Sequence, residues 1–249
     1  FAAIFCLGVR TYLENFFSRL SNLTLLELAG VNHPLLRQMS MEAPGTYHHS
    51  LMVANLAENA ASVVGASSII CRVCALFHDV GKLVKPEYFI ENQREGINPH
   101  VDQNPSLSVL VIKSHVKEGV ELAQKYRLPK VVRDVIQQHH GTRLISYFYD
   151  KALRRCGSQG PQGPDGGNVQ VPEAMYRYEG PKPQFKESAI VSLADSVEAA
   201  SRSLSKITPQ NVEELIDTII KDHIQDDQFS DCPITFAELN HMEKSFLFG

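Results

Sequence analysis

The stretch Cys71-Arg72-Val73-Cys74-Ala75-Leu76-Phe77 followed at once by His78-Asp79-Val80-Gly81-Lys82 is the strongest constraint in this chain. The apolar run reads as a buried helix, and it ends in two polar side chains that need partners to offset desolvation. Those partners must come from elsewhere in the chain, so several distant segments have to converge on the end of this helix. A metal ion is one solution, because neutral imidazole and carboxylate both bind divalent cations. A His-Asp hydrogen bond at a helix end before a glycine cap is the other.

Helical periodicity surrounds this run. In Thr11–Leu28, the residues Leu13, Phe16, Phe17, Leu20 and Leu23 recur at three- and four-residue intervals. Asn32-His33-Pro34 reads as a helix start. Pro44-Gly45 reads as a break, with Thr46 capping a helix over Tyr47–Val64. Further helices are expected over Ile69–Phe77, Leu107–Tyr126, Pro129–His140, Leu144–Leu153, Lys186–Leu204, Pro209–Ile224 and Phe236–Phe246. Pro86–Pro105 is polar, broken and too long for a simple connection, as functional loops often are. Cys156–Val171 is rich in Gly, Pro and Gln and reads as a mobile surface loop. No internal repeat or alternating strand is evident, so the expected fold class is all-α.

With 249 residues, 43% hydrophobic and 21% charged, the chain can bury a sizeable core. A formal charge of −4 argues against a nucleic-acid polymer as partner, and any phosphate ligand then needs a local positive field. The five cysteines are scattered, which fits a reducing compartment better than a disulfide framework. Cys71 and Cys74 have the spacing of a zinc or redox pair, but they lie in an apolar helix without a second pair and read as packing. Phe1–Val9 is apolar and shorter than a bilayer span, and Arg10 follows it. Residues 1–32 are therefore expected to form a linker helix after a truncated transmembrane segment, at the cytoplasmic face of the cell membrane. Residues 33–249 are expected to form the domain proper. The N-terminal helix is also a candidate homodimer contact.

Other histidines and acids share the character of His78-Asp79. His49 opens the Tyr47 helix, His115 sits inside the Leu107 helix, His139-His140 ends the Pro129 helix before Gly141, and Asp195 interrupts an apolar segment. Each alone reads as a satisfied helix residue. Together, five histidines and two aspartates suffice for two metals sharing a carboxylate. Imidazole-rich ligation favours Fe or Mn over Mg or Ca. His48 and His49 point about 100 degrees apart on a helix, so only one of them is expected at the site. His33, His100, His223 and His241 are read as capping, loop or solvated residues.

The order His49…His78-Asp79…Asp195 resembles the HD phosphohydrolase superfamily, and His115 with His139-His140 resembles its two-metal branch. The stretches LLELAGVNHPLLRQMSMEAPGTYHHS, FHDVGKLVKPEYFIENQ, SHVKEGVELAQKYRLPK, QHHGT and GPKPQFKESAIVSLADSVEAASRS look like the cytoplasmic HD domain of 7TM-HD cyclic di-AMP phosphodiesterases. The signature of the GYP branch is absent, because His139-His140 is followed by Gly-Thr-Arg-Leu-Ile. The resemblance implies a helical bundle with one metal on His49, His78, Asp79 and Asp195. The other metal would take His115, His139, His140 and the second oxygen of Asp79. It also implies hydrolysis of the cyclic dinucleotide to linear pApA. Catalytic roles fall to Asp79, His78 and Lys82. Lys82 is a phosphate contact or a charge offsetting the helix dipole. Tyr47, Tyr88, Asn92 and Gln93 are the expected base or ribose contacts, with Arg143 and Arg202 as further phosphate contacts. Two other readings stand beside this one: an HD hydrolase of dNTPs or alarmones, and a non-catalytic receptor for a cyclic dinucleotide.

Overall fold

The computed structural model describes residues 22–30, 32–93, 98–158, 171–204 and 206–248. Ten α-helices occur among them: α1 Asn22–Leu28, α2 Pro34–Glu42, α3 Pro44–Val63, α4 Ser68–Phe77, α5 Pro105–Lys125, α6 Lys130–Gln138, α7 Ser146–Ser158, α8 Lys186–Ser201, α9 Pro209–Gln225 and α10 Phe236–Phe248. Short 3-10 turns cover Val80–Val84, Pro86–Tyr88, Ile90–Asn92 and Glu173–Tyr176. The only β pairing among the described residues is an isolated antiparallel bridge between Leu144 and Arg177, so the fold is all-α as expected. No helix among them is long and apolar enough to cross a membrane. The expected transmembrane and linker segment falls largely outside the described residues, as does most of the Gly/Pro-rich loop.

Helix α4 is the centre of the bundle. It packs on α3, α6, α8 and α1, and Cys71, Val73, Cys74, Ala75, Leu76 and Phe77 are all buried. Each large apolar side chain so buried contributes about 1.5–3 kcal/mol. Cys71 and Cys74 are core residues, and burial pushes both thiols up, away from thiolate chemistry. Helix α3 presents Val53, Ala54, Ala57, Ala60 and Ala61, and these small side chains let α4 and α8 approach its backbone closely. Helix α8 is buried continuously from Ser188 to Glu198, as expected of a helix enclosed by neighbours. Asp195 is therefore inside the bundle by construction.

Several boundaries differ from the sequence expectation. The break between α2 and α3 falls at Ala43, and Pro44 already opens α3, three residues before the expected start at Tyr47, because its fixed φ suits the first helical position. Thr46 consequently lies within the first turn, donating its hydroxyl proton to Glu91 at 3.1 Å. Helix α7 runs through Ser158, past the expected end at Leu153. Helix α8 ends at Ser201, not Leu204. His33 caps α2 as expected, its Nδ1 accepting from the Leu35 amide. His223 is not solvated: it is buried, stacked on Phe229 at 5.5 Å, and donates Nδ1–H to the Ile219 carbonyl. His100 is buried too, within 2.9 Å of the Tyr88 carbonyl through Nε2.

Candidate metal centre

Five helices deliver the seven expected ligands to one place. His49 comes from α3, His78 caps the C-terminus of α4, and Asp79 is the next residue. His115 lies on α5, His139-His140 follow α6, and Asp195 lies on α8. They form two groups that share one member: His49, His78, Asp79 and Asp195; and Asp79, His115, His139 and His140. Within each group the candidate ligand atoms all lie within 4.8 Å of one another.

Asp79 divides its two oxygens between the groups. Its Oδ2 lies 3.2 Å from His78 Nε2 and 3.5 Å from His49 Nε2. Its Oδ1 lies 3.4 Å from His115 Nε2 and 3.6 Å from His139 Nε2. Asp195 approaches both sides as well, with Oδ1 at 3.0 Å from His49 and Oδ2 at 3.8 Å from His140 Nδ1. His48 is exposed, so only His49 of that pair enters the site.

The fit of these residues to metal is tested by what they lack. Nε2 of His78, His115 and His139 and Oδ1 of Asp79 are buried without a hydrogen-bond partner. Four orphaned polar atoms converging in a core would be costly unless a cation takes their lone pairs. The opposite edge of each ring is already fixed. His78, His115 and His139 direct Nδ1 at the carbonyls of Ala75, Ile112 and Ile136, at 2.7, 2.5 and 2.8 Å. Each acceptor is three residues earlier on the same helix. This sets the tautomer and leaves Nε2 free to ligate.

The protonation pattern agrees. Burial lowers His115 to about 4, and burial with the neighbouring His139 and His115 lowers His140, so both imidazoles are neutral at pH 7. Burial alone would lower His78 too, but Asp79 and Asp195 outweigh it and raise it to about 10. Metal binding on that side would compete with a proton for His78. Burial would raise Asp79 and Asp195, yet their cationic neighbours hold both carboxyls well below the usual range.

A supporting shell surrounds the ligands. His49 Nδ1 is bonded to Glu198, whose other oxygen holds Arg202 Nε at 2.9 Å. Lys82 Nζ lies 2.6 Å from Asp79 Oδ2 and 2.8 Å from Glu91 Oε1. Tyr178 stacks on His140 with ring centroids 4.2 Å apart. It is placed there by the bridge between Leu144 and Arg177 and by the bond from its amide to the Arg143 carbonyl. The chain turns sharply after the His pair because Gly141 takes φ +52, where an added Cβ would stand 2.2 Å from Gln228 Oε1.

A cavity of about 820 Å³ opens above the centre, lined by His49, His115, His140 and Asp195 at its floor. Of the expected substrate contacts, Lys82, Arg143 and Arg202 line it. Arg143 also donates to Ser196 Oγ at 2.5 Å, and Arg202 is engaged by Glu198. Tyr47, Tyr88, Asn92 and Gln93 are not on its walls. Tyr47 packs against the main core, and Asn92 bonds the Thr46 amide and hydroxyl. Asn92 and Gln93 line a different cavity beside Met41, and the Tyr88 ring lies against His100. Asn92 and Glu91, both bonded to Thr46, tie this segment to α3, while Gln93 donates to the Tyr88 carbonyl. Glu198 escaped the sequence reading, although its spacing of three from Asp195 puts both on one helix face.

Comparison with known proteins decides the family. Residues 46–200 match the HD domain. The chain belongs to the HD domain family. Over 244 residues, 98% of its length, this HD domain is 46% identical to the cyclic-di-AMP phosphodiesterase PgpH of Bacillus subtilis (strain 168). It spans about a third of the length of that relative, 33%. Its fold resembles the crystal structure of the L. monocytogenes phosphodiesterase PgpH HD domain, with a TM-score of 0.79 and 46% identity, covering 87% of this chain and 97% of that one. The same domain in complex with cyclic-di-AMP gives a TM-score of 0.81, covering 88% of this chain and 97% of that one.

Proposed function

We propose that this HD domain is a two-metal phosphodiesterase that hydrolyses cyclic di-AMP to linear pApA. The observation that carries the reading is the pair of ligand groups sharing Asp79 at the floor of the large cavity. The relatives named as cyclic-di-AMP phosphodiesterases and the neighbour solved with that ligand support the choice of substrate.

The reaction adds one water across a P–O3′ bond, leaving a free 3′-hydroxyl and a 5′-phosphate. Two divalent ions, Fe or Mn for so imidazole-rich a set, would supply Lewis acidity at this site. The chain's own residues prepare this. His49, His78, Asp79 and Asp195 would hold one ion, and His115, His139, His140 and Asp79 would hold the other. Lys82, clamped by Glu91, keeps the bridging carboxylate in place and ionised. Glu198 fixes His49 so that Nε2 faces Asp195 and Asp79. Arg143, anchored through Ser196, presents a fixed positive charge to a non-bridging phosphate oxygen. We place the domain at the cytoplasmic face of the membrane, carried by residues 1–32, as the apolar Phe1–Val9 followed by Arg10 supports.

The test is turnover by the metal-loaded chain with cyclic di-AMP and cyclic di-GMP in parallel, the product resolved by chromatography. The reading expects pApA and a clear preference for cyclic di-AMP. Equal rates on both would overturn the substrate assignment, and no turnover of either would overturn the reaction.

A further inference from the structure

Two of the most exposed large apolar side chains among the described residues stand at the cavity above the metal ligands. Ile90 is 80% exposed and Tyr147 is 65% exposed, and both line it. Neither is there for want of anchoring. Ile90 sits between Phe89, buried edge-on against the His115 ring at 5.6 Å, and Glu91, paired with Lys82. Tyr147 sits beside Phe148, which is buried in a small core with Val109, Ala152 and Tyr176. The Tyr147 and Phe148 rings meet at 81° with centroids 5.0 Å apart, and most of the Tyr147 side chain remains exposed. Both backbones are therefore held, while both side chains are left in solvent beside a phosphodiester site. Single exposed apolar side chains are common on any surface; what sets these two apart is their place on the wall of the cavity that holds the ligand cluster, where a bound molecule would meet them.

We propose that Tyr147 is the stacking platform for a nucleobase of the substrate, with Ile90 as an apolar contact on the same cavity. This deepens the phosphodiesterase reading and rests on it. A phosphodiester gripped at the cavity floor by the ligand-bearing helices carries planar bases outward, toward the mouth. Tyrosine offers a rigid π-face with few rotors, which suits any base and favours large purines. Base–aromatic stacking lost by truncation weakens binding roughly 5- to 150-fold. The position also explains why Tyr47, Tyr88, Asn92 and Gln93 are poor candidates for this role, since none of them reaches the cavity.

The experiment uses the metal-loaded chain and its Tyr147→Ala and Tyr147→Phe variants. Three quantities are read: KM and kcat for cyclic di-AMP, the inhibition constant of pApA, and the inhibition constant of inorganic phosphate. The expected result for Tyr147→Ala is a KM and a pApA constant raised at least five-fold, with kcat and the phosphate constant unchanged. Tyr147→Phe should restore wild-type values, and metal content and Tm should not move in either variant. Unchanged KM and pApA binding in Tyr147→Ala, or a phosphate constant that rises in step with them, overturns the stacking role. Wild-type protein that hydrolyses no cyclic dinucleotide removes the parent reading instead, and that failure is visible before any variant is made.

Discussion

Replacing Gly81 with alanine perturbs the metal centre through the backbone alone. Gly81 lies two residues after Asp79, in the 3-10 turn Val80–Val84 that crosses α5. A Cβ added there would stand 1.8 Å from the His115 carbonyl oxygen and 2.5 Å from the Gly119 amide nitrogen. An ordinary carbon–oxygen contact needs about 3.3 Å, so turn and helix must separate by roughly 1.5 Å. Both obstacles are backbone atoms, and no side-chain rotamer can relieve them. Overpacking of this kind costs about 1–3 kcal/mol or more. At 2–4 °C per kcal/mol for a chain of this size, Tm should fall by roughly 5–10 °C. The functional effect should be larger than the stability effect. His115 Nε2 lies 3.4 Å from Asp79 Oδ1, and metal distances tolerate only about 0.2 Å. Gly81→Ala should therefore lose the metal of the His115, His139 and His140 group and keep the one beside His49 and His78. Differential scanning calorimetry with metal analysis of the purified variant reads both effects. A variant with wild-type Tm and two metals per chain would refute the reasoning.

Asp79 and His78, though adjacent, should not be equivalent. Asp79→Ala should empty both positions because each group uses one of its oxygens, whereas His78→Ala should weaken one; metal counting that finds them alike contradicts the bridge. Glu198→Gln removes the charge that orients His49 and should lower affinity for that metal about 10- to 100-fold, measured by competition with a chelating dye. An unchanged affinity would reduce Glu198 to a partner for Arg202. His223 gives a pH test of stability: burial lowers it from 6.5 to about 3, so below pH 6.5 the unfolded chain takes up a proton that the folded one refuses. Its contribution is complete above pH 6.5 and declines toward pH 3, with about 2 kcal/mol lost by pH 5. Denaturant unfolding of wild type and His223→Gln at pH 7 and pH 5 should show that difference, and parallel curves would exclude it.

That these seven residues cluster is legible in the sequence because a buried helix otherwise avoids such residue types. His78-Asp79 after an apolar run and Asp195 inside one can be recognised without coordinates, since desolvation makes them expensive alone. The substrate walls were not legible. Tyr88, Asn92 and Gln93 have the functional groups that read bases, but Asn92 is bonded to Thr46 on α3, Gln93 to the Tyr88 carbonyl, and the Tyr88 ring lies against His100. Ile90 and Tyr147 have no distinguishing pattern, and only their exposure beside the cavity marks them. Pro44 shows the same limit for the fold: a proline punctuates a helix at either end, and the sequence does not say which. Lys82 combines both cases. Its place one turn after the pair fits either a phosphate contact or a charge offsetting the helix dipole, while the fold pairs its ammonium with Asp79 and Glu91.

The central claim is that two metals held by one bridging carboxylate act together on the substrate. The most direct measurement titrates the metal-free chain with Mn(II), recording bound metal and cyclic di-AMP turnover in the same samples. Turnover should stay negligible until the second equivalent binds and reach a plateau at two per chain. Full turnover with a single equivalent, or turnover that persists with the metal removed, would contradict it.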